Sequence, residues 1–141
     1  MASEAQKPLN WHPEPEIGYS VARRADGGMQ LEFTDLSSAT LKHWRIFSLE
    51  HLIESDRLTR NLYDLRQLVD IPEEAIRIAV EVNNDPSVRN IRLAVVVSNQ
   101  KVKTAMQRIA DLTTGGGVDL GIFSDMDDAE DWLNRPLTLL V

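Results

Sequence analysis

One run of seven residues, Ile91-Arg92-Leu93-Ala94-Val95-Val96-Val97, constrains this chain more than any other stretch. Successive side chains of a strand point to opposite faces, so a strand with one wet face alternates apolar and polar residues. Only Arg92 interrupts the apolar run here, which predicts a strand covered on both faces. Such strands are typically central and parallel to their neighbours. Parallel neighbours in turn require a crossover of a dozen or more residues, usually a helix. The flanking sequence should therefore alternate helical and strand periods.

It does so along most of its length. Ile17, Tyr19, Val21 and Arg23 alternate with Gly18, Ser20 and Ala22, and Asp26-Gly27-Gly28 supplies residues that tolerate positive φ, which predicts a hairpin. Its second arm alternates Met29, Leu31 and Phe33 with Gln30, Glu32 and Thr34. Ser37 or Ser38 caps a helix reaching about Ser55. Leu58 to Leu65 reads as a buried strand. Asp70, Pro72 and Glu73 resemble a capping box with proline in the first turn, and Ile76, Ala79, Val80 and Asn83 form the inward stripe of a second helix, stopped by Asn83-Asn84-Asp85-Pro86. Asn99 caps a third helix, in which Val102, Ala105, Met106, Ile109 and Ala110 recur at helical spacing before Gly115-Gly116-Gly117 ends it. Val118 to Phe123 is a last strand. Ser124 or Asp125 caps a fourth helix over Met126 to Asn134, which Pro136 closes. The order ββαβαβαβα predicts an α/β fold with a mixed, mostly parallel five-stranded sheet and right-handed crossovers.

Residues 1 to 15 hold three of the six prolines and read as an extended arm; residues 136 to 141 form an apolar tail ending Leu137-Thr138-Leu139-Leu140-Val141. The chain's 141 residues suffice for one substantial core. With no cysteine, disulfide scaffolds, thiol nucleophiles and cysteine-ligated zinc are excluded. A net charge of -7, with the basic residues scattered, argues against nucleic acid and anionic membrane surfaces. No run approaches the roughly 20 apolar residues of a membrane span, and the N-terminus lacks a signal-type apolar segment, so a soluble, cytoplasmic protein is expected.

Little in the sequence points to catalysis or to a metal. There is no Gly-x-Ser-x-Gly elbow, and His12, His43 and His51 do not fall on strand ends where a triad would present them. Asp125, Asp127, Asp128, Glu130 and Asp131 could attract a hard cation, but the stretch lacks the Gly and distal Glu of an EF-hand loop, and a helix N-terminus that favours negative charge accounts for them better. Gly115-Gly116-Gly117 lies between a helix and the following strand, the reverse of a phosphate loop, and Lys101 and Lys103 read as solvated lysines. Neither catalytic residues, nor a metal, nor a cofactor are expected.

The first helix is the unusual element. Its apolar set of Leu41, Trp44, Ile46, Phe47, Leu49, Leu52 and Ile53 spans an arc of roughly 260°, against the roughly 100° one core face needs. Either the surplus meets a second chain or a nonpolar ligand, or the N-terminal arm covers it with Trp11. Leu41, Trp44, Phe47 and Leu52 are the candidate contact residues.

Leu62-Tyr63-Asp64-Leu65-Arg66, Leu93-Ala94-Val95-Val96-Val97 and the closing Ile122-Phe123-Ser124-Asp125 with Ala129-Glu130-Asp131-Trp132-Leu133 together resemble the SpoIIAA-like family, which shares the STAS fold of sulfate transporters and anti-sigma factor antagonists. The resemblance covers roughly residues 17 to 135 and implies a STAS-like domain over residues 16 to 135, a small α/β sandwich that works as a regulatory or ligand-binding module and not as an enzyme. Anti-sigma antagonists of that group carry a phosphorylatable Ser or Thr just after the strand preceding the second helix. The matching stretch here, Arg66 to Pro72, has no hydroxyl, so the usual charge switch is missing. The expected function is a noncatalytic regulatory or scaffolding module acting by protein contact, with self-association as a homo-oligomer. The alternative is a carrier or sensor of a small nonpolar, lipid-like ligand held between the first helix and the sheet.

Overall fold

The computed structural model describes residue 9, residues 11–52 and residues 58–136. Its elements follow the expected order: β1 (Tyr19–Arg23), β2 (Met29–Phe33), α1 (Ser38–Leu52), β3 (Thr59–Asp64), α2 (Glu73–Asn83), β4 (Ile91–Val96), α3 (Gln100–Leu112), β5 (Val118–Phe123) and α4 (Met126–Leu133). The expected extension of α1 to Ser55, with Ile53, and the apolar tail from Leu137 to Val141 lie outside the described residues.

The sheet runs β1-β2-β3-β4-β5, with β1 antiparallel to β2 and every other pair parallel. Each helical crossover advances the sheet by one strand in the same direction. Right-handed crossovers of that kind place α1, α2 and α3 on one face. α4, which follows the last strand, packs on the other. Two cores result, and β4 serves both: Leu93, Val95 and Val97 join the large cluster under the first three helices, whereas Ala94 and Val96 meet Leu62, Ala129 and Leu133 beneath α4. The unbroken apolar run of β4 thus has its physical cause in two covered faces.

Local chemistry sets the ends of these elements. The hairpin turn uses Gly27 at φ 92°, and a Cβ on Gly28 would collide with the Arg60 carbonyl oxygen, so that close approach of β2 and β3 requires glycine. Ser37 Oγ accepts from the Thr40 amide at 3.3 Å, Asn99 Oδ1 from Val102 at 2.8 Å and Asp125 Oδ2 from Asp128 at 3.1 Å, capping α1, α3 and α4 as expected. α2 departs from expectation. Pro72 occupies its N-cap without a side-chain bond, and Asp70 turns instead to the Ile71 amide (2.8 Å) and to Lys101 (3.4 Å). Its buried stripe is Ala75, Ile76, Ile78, Val82 and Asn83, leaving Ala79 and Val80 only half-buried, because α2 lies between two helices as well as over the sheet.

Candidate functional site

The four candidate residues of α1 do not form an exposed patch. Leu41 is 3% exposed, Trp44 6%, Phe47 3% and Leu52 4%. The wide apolar arc is reconciled differently from a contact surface. Thr40, Ser48 and His51 share the buried stripe with the four apolar residues, and Ile46 is left in solvent at 67% exposure. Part of the cover comes from the arm: Leu9 and Trp11 pack against the large core, with the Trp11 ring 6.2 Å from that of Tyr19. Tyr19 itself stacks on Phe33 at 5.1 Å and meets Phe47 edge-on at 6.1 Å, which buries the flank of α1 nearest the hairpin.

Two of the four, Leu41 and Trp44, line an apolar cavity of about 60 Å³ between the helical layer and the sheet. Phe33, Tyr63, Leu93 and Leu120 form its floor from β2, β3, β4 and β5. Ala75, Ala79 and Asn83 of α2 and Met106 and Ile109 of α3 close it from above, and Leu65, Leu68 and Ile71 contribute from the end of β3 and the loop beyond. Small side chains on α2 opposite large ones on the sheet leave the gap. Phe47 and Leu52 are part of the packed core and do not line it.

None of the lining residues carries a charge at neutral pH. Burial pushes the Tyr63 phenol up to about 12, with hydrogen bonding from Trp44 and Ser48 opposing it, so the group stays neutral. Trp44 Nε1 donates to the Tyr63 oxygen at 3.3 Å, and Asn83 Nδ2 donates to Thr113 Oγ1 at 3.2 Å. The site is therefore hydrophobic with two polar side chains, one on the floor and one at the rim. Such a lining can hold and orient a nonpolar group, and among the described residues it presents no nucleophile beside a base.

The other sequence candidates have structural roles. Asp125 caps α4, and Glu130 receives the Arg24 guanidinium at 2.8 and 3.0 Å, joining the hairpin turn to α4. His43 Nδ1 lies 2.7 Å from the Tyr19 hydroxyl and its Nε2 3.6 Å from Glu14, and His51 Nδ1 lies 2.8 Å from the Phe47 carbonyl oxygen. Asn84 Oδ1 accepts from the Thr114 and Gly115 amides, which holds the glycine exit of α3 against the end of α2. Sequence reasoning placed one wall of the cavity on α1 and missed Tyr63, Asn83 and Met106. Tyr63 alone had a visible signal, a polar-tipped aromatic within a buried strand; the α2 and α3 walls depend on how three helices sit side by side.

A five-stranded mixed sheet with this strand order, three helices on one face and one on the other, defines the class: the chain has a SpoIIAA-like, STAS-type α/β fold. The crystal structure of an uncharacterized protein from the DUF3478 family with a SpoIIAA-like fold, from Shewanella loihica PV-4, is similar to it at a TM-score of 0.60 and 17% identity, the match covering 87% of this chain and 99% of that one. No family model matches the sequence, and no curated protein matches it. Among the described residues no helix is long and apolar enough to cross a membrane.

Proposed function

We propose that this chain is a noncatalytic binding module that holds a small nonpolar molecule between its helical layer and its sheet, in a sensing or carrier role. The observation that carries this reading is the uncharged cavity of about 60 Å³ beneath α2, lined in part by Leu41 and Trp44. Protein interiors are packed to crystal density with few voids larger than water, so an apolar cavity bounded by seven elements and two loops calls for a cause. The volume is less than half the roughly 150 Å³ that admits benzene in an engineered core, which limits the guest to a handful of heavy atoms. Regulation or scaffolding by protein contact, including a homo-oligomer, loses the surface first assigned to it, since the four candidate residues are already covered within one chain. Exposed Ile46 and Val69 remain available for contact, but isolated apolar side chains are common on any protein surface.

Xenon provides a direct test, because it is nonpolar and small enough for the void. Xenon NMR should report a saturable bound state and a shift of the Trp44 indole resonance. Ala79→Leu, which projects bulk from α2 into the space, should abolish both while leaving the backbone spectrum folded. Xenon that binds Ala79→Leu as well as the wild type would remove the cavity from the account.

A further inference from the structure

Resting on that reading, we infer that α2 is the door of the cavity. Its N-terminal half, with residues 69–72 that lead into it, swings outward about a fixed C-terminal end, and ion pairs at the surface set how often it opens. The face that α2 turns to the cavity carries little apolar bulk. Ala75, Ala79 and Asn83, spaced four apart and so aligned on one side of the helix, are its lining residues. Two methyl groups and an amide give up little apolar contact when that face lifts. Ile76 and Ile78 are buried as well, which makes the closed position the stable one.

The two ends of α2 are held very differently. At the C-terminal end Asn83 Nδ2 donates to Thr113 Oγ1 at 3.2 Å and Asn84 Nδ2 to the Leu112 carbonyl at 2.9 Å. Asn84 Oδ1 accepts from the Thr114 and Gly115 amides at 2.9 and 2.8 Å, so this end is bonded closely to the exit of α3. At the other end Pro72 gives α2 no side-chain cap. The loop before it is hydrogen-bonded to another element as far as Leu68, whose carbonyl accepts from Asn99 Nδ2 at 3.2 Å. Beyond that point, among the described residues, the polar ties are side-chain pairs at the surface: Asp70 with Lys101 at 3.4 Å, Glu73 with Arg108 at 2.6 Å and Glu74 with Ser38 at 3.2 Å. Exposed pairs of this kind are individually weak and screened by salt. Leu36, Leu68 and Ile71 line the cavity at this same end, so lifting Ile71 and Ala75 parts its wall there. Local openings of this sort are drawn from the least stable part of a fold.

The chain contains no cysteine, so a pair of introduced thiols can be bridged selectively. Glu73→Cys with Arg108→Cys, joined by a short bis-maleimide, locks the N-terminal end of α2 to α3. Glu81→Cys with Arg45→Cys, whose native side chains stand 3.5 Å apart, locks the opposite end to α1 when joined in the same way. None of these four residues lines the cavity. Saturation-transfer xenon NMR reads the rate at which bound xenon exchanges with free. The first bridge should slow that exchange by about tenfold or more, and the second should leave it within about twofold of the wild type. Before bridging, the first pair should exchange xenon about twofold to fivefold faster than the wild type, the worth of a surface ion pair, with the bound fraction unchanged. In hydrogen exchange of the wild type, the amides of Ile76, Arg77 and Ile78 should exchange faster than those of Val82 and Asn83. Xenon exchange that ignores the first bridge or slows equally with both, or amides protected in the reverse order, overturns the inference while leaving the cavity as a binding site. If the unmodified chain takes up no xenon, the proposed function fails and the door with it.

Discussion

Asp64 closes β3 with its carboxylate nearly enclosed, and Arg66 folds back onto it through Nε at 2.9 Å and Nη2 at 2.8 Å while the Arg66 amide donates at 3.1 Å. These bonds, led by the guanidinium pair, hold the Asp64 carboxyl below its usual range. A carboxyl depressed in the folded state stabilises the fold above its unfolded pKa near 4 and loses that contribution as pH falls through the folded value. Asp64→Asn should therefore cost about 1–2 kcal/mol at pH 7, a figure kept modest because Arg66 is half-exposed. Urea unfolding of both proteins at pH 7 and again near pH 2 should show the difference shrinking in acid. A gap that stays constant across that range would mean that packing, not charge, sets the effect.

At the scale of elements, α4 shows how a short helix is made to stay. Its eight residues are too few to be stable alone, and its anchors come from elsewhere. Ala94 and Ala129, both fully buried, let α4 approach the sheet closely, and Gly121 leaves room for the rings of Phe123 and Trp132. At the other end Arg60 Nε donates to the Leu133 carbonyl at 2.6 Å, and Arg92 Nη1 to that of Arg135 at 2.7 Å, so two strand-borne cations face the negative end of the helix dipole. The Arg92 guanidinium also lies 5.5 Å from the Trp132 ring. Arg92→Ala should lower stability by about 1–2 kcal/mol and raise the solvent quenching of Trp132 fluorescence. Unchanged quenching would show that the α4 terminus does not depend on Arg92. The single polar residue in the β4 run thus has its place because one face of β4 ends at a helix terminus.

For the molecule as a whole, the decisive question is whether Trp44 belongs to a surface between chains or to the interior of one. Burial of Trp44 among Leu41, Tyr63 and the α2 face assigns it to the interior. Trp44→Ala should therefore destabilise the isolated chain by about 3–5 kcal/mol, with the same loss at every protein concentration. Thermal unfolding over a hundredfold concentration range, combined with light scattering, checks this. A loss that grows on dilution, with a falling scattering mass, would restore Trp44 to an interface. The Arg24–Glu130 pair, whose arginine side chain is 8% exposed, is a second long-range tie, linking the β1–β2 turn to the last helix.

Element order, the covered central strand, three of the helix caps and the glycine turn were legible in the sequence, because each depends on residues a few positions apart: side-chain period, a hydroxyl or carboxylate beside a free amide, or a backbone that must bend. The inward face of α2, the cover over α1 and the cavity were decided only in three dimensions. They depend on the spacing between a helical layer and a sheet, on Trp11 reaching Tyr19 and on alanines of α2 facing aromatics of β2 and β3, distances that no local pattern encodes. The wide apolar arc of α1 announced a binding surface, and tertiary packing turned it inward, leaving an uncharged space with a tyrosine in its wall.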